Sequence, residues 1–128
     1  MPYLLEHGGP KATFTLITGG AGEYGAAGAT AVAQGGLFTL ANVACRENRK
    51  TNVRFNEVYL CYRVDYDSVA EKMGAANRLK ASEFAKVYEK ILADESIKGT
   101  RISVIGKDDV TNFKAVKKVA DHDMFDDV

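Results

Sequence analysis

The stretch "LITGGAGEYGAAG", residues 16–28, decides how the rest of the chain is read. A run rich in β-formers ends at Thr18, five glycines fall between Gly19 and Gly28, and an alanine-rich segment follows. Two readings fit. In the first, Gly19, Gly22 and Gly25 form a Gly-x-x-Gly-x-x-Gly turn from strand to helix, whose free N–H groups would cradle a dinucleotide pyrophosphate. In the second, the glycines only let the chain bend sharply. A dinucleotide unit also wants an acidic residue about 20 residues further on, to hold the adenosine ribose. Asp65 and Asp67 lie well beyond that distance, so the first reading is incomplete.

Working outward, "KATFTLIT" (residues 11–18) alternates Ala12, Phe14 and Leu16 against Thr13, Thr15 and Ile17, the pattern of a strand. Residues 26–46 place Ala33, Leu37, Leu40, Ala41 and Ala44 at helical spacing. Gly28, Gly35 and Gly36 weaken that helix by about 1 kcal/mol each relative to Ala, so close packing or function is expected to compensate. "RENRKTN" (46–52) is a basic connection at the helix C-terminus, where the helix dipole favours positive charge. "VRFNEVYLCYRVDY" (53–66) is the strongest strand signal. "DSVAEKMG" reads as a short helix broken at Gly74. Ser82 is expected to cap a further helix, with Phe84, Val87, Tyr88, Ile91 and Leu92 forming its apolar stripe. Gly99 ends that unit and "TRISVIG" is a strand. A polar tail follows from Asp108, with a weak helix over Phe113, Val116 and Val119 and fraying last residues.

The order strand, helix, strand, helix, strand predicts βαβ units and a parallel sheet. The 128 residues make one domain able to bury a single core, residues 1–110, with 111–128 as a tail. Lys+Arg and Asp+Glu both number 17, so no charge excess points to nucleic acid or an anionic membrane. No run approaches the ~20 apolar residues of a membrane helix. The N-terminus lacks the basic and apolar regions of a secretory signal, so a cytoplasmic location is expected. Cys45 and Cys61 read as buried reduced thiols, and His122 between Asp121 and Asp123 as a solvated cluster, so no metal is expected.

Three segments, "PYLLEHGGPKATFTLITGGAGEYG", "VRFNEVYL" and "LKASEFAKVYEKILADESIKGTRISV", carry a resemblance. From about Pro2 to Val110 the chain is similar to the C-terminal half of a short-chain dehydrogenase/reductase. The resemblance implies a truncated Rossmann-like three-layer α/β fold: a small, mainly parallel sheet with helices on its faces. It also implies that the glycine turn ends the active-site strand, because the family's phosphate loop belongs to the other half. Gly19, Gly22 and Gly25 would bind a cofactor only if this register were wrong, and no NAD(P) or other cofactor is expected.

The same register, judged from "QGGLFTLANVACRE", sets Thr30 and Gln34 where the family has its Tyr-x-x-x-Lys pair. The tyrosine is the proton donor and the lysine lowers its pKa. Thr30 is a far weaker acid and Gln34 carries no charge, so neither does that work. The family's serine falls at Thr18 or Gly19, and Leu60 and Cys61 replace the usual Pro-Gly after the "VRFN" strand. These departures suggest a cofactor-independent cyclase, isomerase or lyase acting on a carbonyl-containing small molecule. Thr18, Glu23, Tyr24 and Tyr59 are its candidate catalytic residues. Two other readings stay open: an NAD(P)-dependent oxidoreductase completed by a partner chain, and a non-catalytic binding or remnant domain. Arg63 and Asp65 are either a structural ion pair or a ligand-binding pair. With about half the family's sheet present, the strand over residues 13–18 would expose an edge, and a homodimer is expected to cover it.

Overall fold

The structure, a computed structural model, describes residues 1–74 and 76–127. A first helix, α1 (Pro2–His7), leads into strand β1 (Thr13–Gly19). The glycine turn holds a four-residue helix, α2 (Ala21–Tyr24), before the long α3 (Ala29–Glu47). Next come β2 (Arg54–Leu60), β3 (Arg63–Asp65), α4 (Asp67–Met73), β4 (Arg78–Lys80) and α5 (Ala81–Ala93). The chain closes with β5 (Thr100–Val104), α6 (Asp109–Asn112) and β6 (Ala115–Lys117).

The main sheet has the order β1-β2-β5-β6. Its first three strands are parallel, with Thr13 opposite Arg54 and Glu57 opposite Arg101. Side chains alternate across such strands, so β2 sends Phe55, Glu57 and Tyr59 to one face and Arg54, Asn56, Val58 and Leu60 to the other. On the first face Phe55 packs with Ala41 and Cys45 of α3, and Leu16 joins them. On the second, Val58, Ile102 and Val104 meet Phe84, Val87 and Ile91 of α5. Helices therefore cover both faces of a mainly parallel sheet, and the fold is Rossmann-like.

Several local expectations change. The run 53–66 is not one strand. Gly19 is the last β1 residue paired with β2, opposite Leu60, so past that point β2 has lost a neighbour. After Cys61 donates its N–H to the Val104 carbonyl at 2.9 Å, the chain leaves the sheet. It then pairs β3 with β4 as a separate two-stranded sheet. Ser82 does not cap α5, which starts at Ala81; instead the Asp67 carboxylate accepts from the Ser82 N–H at 3.0 Å. Leu92, placed in the α5 stripe, is 59% exposed. The weak helix expected over Phe113–Val119 is replaced by β6, antiparallel to β5, so this segment adds a fourth strand. Beyond β6, Arg46 reaches Asp123 at 2.9 Å and Arg49 reaches Asp126 at 2.6 Å, tying residues 120–126 back onto α3.

The "VRFN" motif has an architectural role. Arg54 Nη1 donates to the carbonyls of Ile91, Asp94 and Ile97 at 2.9–3.1 Å, holding the C-terminal end of α5 where a cation is favoured. Asn56 donates to the Ile97 carbonyl at 3.1 Å and accepts from the Thr100 N–H and hydroxyl. One side chain thus fastens the α5–β5 connection to the centre of the sheet. At the opposite margin β1 has no partner beyond β2 among the described residues, and Phe14 and Ile17 stand exposed on it. No helix among the described residues is long and apolar enough to cross a membrane.

Candidate functional site

In open parallel sheets, ligand crevices lie beyond the carboxyl ends of the strands. Here that region is built by the ends of β1 and β2 and by the glycine turn. Gly19 donates its N–H to Gln34 Oε1 at 2.8 Å, which fixes the turn to α3. A Cβ on Gly20 would stand 2.6 Å from Cys61 Sγ and 3.4 Å from Tyr59 Oη. On Gly22 it would stand 2.8 Å from Gly35 N and 2.9 Å from Gln34 Cβ. Gly20 therefore lets the backbone lie on the Tyr59–Cys61 pair, and Gly22 lets α2 press onto α3. At Gly25, a φ of 64° turns the chain out of α2 through the left-handed region. Two of the three glycines of the dinucleotide pattern, Gly22 and Gly25, are thus accounted for by packing and turn geometry, whereas a Cβ on Gly19 would make only ordinary contacts with Gln34.

The small residues expected within α3 behave differently. A Cβ on Gly35 or Gly36 would meet nothing within 4 Å, and Gly28 lies just outside the helix at a φ of 48°. The close approach is made by Gly22, not by the glycines of the helix itself.

The four sequence candidates separate into two groups. Tyr59 is buried at the strand end beside Cys61. Burial, then hydrogen bonding to Cys61 and the nearby Tyr24 and Glu23, pushes its phenol up to about 12, so it keeps its proton at neutral pH. Glu23 and Tyr24 project from α2 nearby, with Tyr24 72% exposed. Thr18 lies opposite Tyr59 in the β1–β2 pairing, but its hydroxyl is taken. Its buried hydroxyl donates to Glu57 Oε1 at 2.7 Å and is committed to the core. Thr30 is exposed on the first turn of α3, while Gln34 caps the turn as described.

Glu57 was missed in the sequence. Fully buried in mid-strand, it also accepts from Arg101 Nε and Nη2 at 3.1 and 3.0 Å and from Lys118 Nζ. Burial alone pushes its carboxyl up, but the hydrogen bonds from Arg101, Lys118 and Thr18 outweigh that and hold it below the ordinary value. The Arg101 guanidinium itself lies 4.9 Å from both the Phe38 and Tyr59 rings, which pack against each other. A glutamate inside the run "VRFNEVYL" was the available signal, since a strand buried on both faces has no room for an unpaired charge.

The remaining candidates are structural. Asp65 bridges Arg63 at 2.9 Å and Arg78 at 2.7 Å, joining β3 to β4 through ion pairs. Exposed His122 pairs with Asp126. No group of three or more His, Cys, Asp or Glu among the described residues could hold a metal ion.

No protein-family model matches the chain, and no solved structure gives a significant match. Among curated proteins it is similar to the short-chain dehydrogenase/reductase iacG of Pestalotiopsis fici, with 42% identity over 114 residues. The match takes in 88% of this chain and 46% of that protein, so the chain spans about half the length of the curated relative. Together with the β1-β2-β5 parallel order and the "VRFN" strand at its centre, this places the chain: it is related to the short-chain dehydrogenase/reductases over a segment equal to about half of one of them.

Proposed function

We propose that the chain is a cofactor-independent enzyme that moves a proton on a carbonyl-containing small molecule, as a cyclase, isomerase or lyase does. The observation that carries this reading is the Tyr59–Cys61 pair at the end of the central strand, with Glu23 and Tyr24 beside it. A phenol that stays protonated can donate a hydrogen bond to a carbonyl oxygen and stabilise the charge of an enolate. The Glu23 carboxylate, close enough to act on the Tyr59 phenol electrostatically, is the group to take the α-proton. Thr30 and Gln34, where the family has its acid and lysine, do not supply hydride chemistry of the usual kind.

Deuterium exchange tests this. Wild-type protein in heavy water, with a panel of enolisable ketones and no nicotinamide, is expected to label the α-carbon saturably. Tyr59→Phe and Glu23→Gln should each lower the rate by about 10²-fold or more. Exchange no faster than in buffer would overturn the reading. Calorimetric titration with NADH and NADPH is expected to show no binding.

A second reading rests on the open edge of β1. A partner chain adding a strand there would complete a larger sheet, and an oxidoreductase assembled in that way would bind NADPH only with its partner present. For the isolated chain we propose a homodimer that covers the exposed Phe14 and Ile17 and the exposed Val32, Leu40 and Val43 of α3. Its mass in solution, at twice that of one chain, is the check.

A further inference from the structure

On the α3 face of the sheet, a cleft of about 430 Å³ opens between α3 and the β5–β6 margin, lined by Asn42, Arg101, Ser103, Val116, Lys117 and Lys118. We propose that this cleft binds a small oxyanion, the carboxylate or phosphate group of a metabolite. The inference does not rest on the catalytic reading above.

Charge comes first. Arg101 and Lys118 face one carboxylate, Glu57, so one positive charge is left over where side chains are largely shielded from water. At the rim, Lys117 is paired with Asp121 at 3.4 Å, between two well-exposed groups. An anion in the cleft neutralises the surplus.

Donors come second. Arg101 spends Nε and Nη2 on Glu57, and Nη1 has no hydrogen-bond partner among the described residues. Lys118 spends one of its three ammonium protons on Glu57. The Ser103 hydroxyl and the Asn42 amide, both lining the cleft, have no hydrogen-bond partner among the described residues either. Donors from α3, from β5 and from the end of β6 onward thus line one cleft. Phe38 and Tyr59, packed against each other with ring centroids 5.9 Å apart, both stand 4.9 Å from the guanidinium and cover one side of it, which limits the ordering needed when a ligand arrives. The size of the cleft suits a metabolite rather than a macromolecule, and a single surplus charge is too little for a nucleic-acid backbone.

The test is amide chemical-shift titration of the intact chain with inorganic phosphate and, separately, succinate, each against sodium chloride at equal ionic strength. Saturating shifts around Ser103, Lys117 and Lys118 with either anion support the site, and the anion that binds more tightly names the class. Asn42→Asp, on an exposed helical position, should weaken binding by at least about tenfold through charge repulsion, and Ser103→Ala by about threefold. Shifts no larger than those of chloride, or binding unaffected by Asn42→Asp, would overturn the proposal.

Discussion

Glu57 offers the sharpest test of what holds this sheet together. Glu57→Gln keeps the shape but removes the charge that faces Arg101 and Lys118. The Lys118 side chain is 7% exposed and that of Arg101 28%, so two cations would be left poorly solvated and without a counter-charge. Breaking a buried pair from one side costs about 3–5 kcal/mol. Against the ~5–15 kcal/mol that stabilises a domain, that is a loss of roughly 10–20 °C in Tm for a chain of this length. Replacing the whole set, as Glu57→Leu with Arg101→Leu and Lys118→Met, removes every charge at once and should return to within about 2 kcal/mol of wild type. Guanidinium titration followed by circular dichroism reads both. A Glu57→Gln loss under about 1 kcal/mol, or a triple variant no better than the single one, would refute the reasoning. The acid limb gives an independent reading. The folded carboxyl lies below its ordinary value, so its contribution is complete above the unfolded value near 4.3 and is lost as pH falls through the folded one. Glu57→Gln should therefore flatten stability against pH below about 4.3.

Other perturbations separate packing from backbone propensity. Gly22→Ala sets a methyl 2.8–3.0 Å from α3 and is expected to destabilise by about 1–2 kcal/mol. Gly36→Ala meets open space and should stabilise by up to ~1 kcal/mol; a loss at Gly36 in thermal melts would reveal something packed on that face of α3. Arg54→Met removes the side-chain donor from the Ile91 carbonyl, while the Asp94 carbonyl keeps the Ile97 N–H and the Ile97 carbonyl keeps Asn56, and should cost about 1–3 kcal/mol by denaturant titration. In a spectrophotometric titration, the difference between wild type and Tyr59→Phe should be a phenol ionising near 12; a difference curve centred near 10 would contradict the buried pair with Cys61.

Local signals carried the parallel core of the fold. The alternation of residues 11–18, the helical spacing after the glycine turn and the stripe of Phe84, Val87 and Ile91 each reflect one element meeting one neighbour, and periodicity reports that directly. What could not be read depends on partners distant in the chain. The "VRFNEVYLCYRVDY" run keeps strand chemistry past Leu60, and only the departure of β1 at Gly19 ends the pairing. Ser82 has the chemistry of a cap, yet Asp67, 15 residues earlier, takes an N–H at the helix start. For the candidate site the division is the same. Glu23 and Tyr24 were visible because they sit in the turn itself. The commitment of Thr18 to Glu57 was not, since those residues are 39 apart.

The bond between Glu57 and Lys118 joins positions separated by 61 residues. During synthesis the central strand emerges well before the lysine that helps to neutralise it. Arg101, made before that lysine, already balances the single charge of Glu57 through two hydrogen bonds, so the middle of the sheet can close once β5 is in place. Lys118 then arrives as a second cation and fastens the residue after β6 onto a sheet already formed, so a chain cut short before it would keep its parallel core and lose only that last fastening.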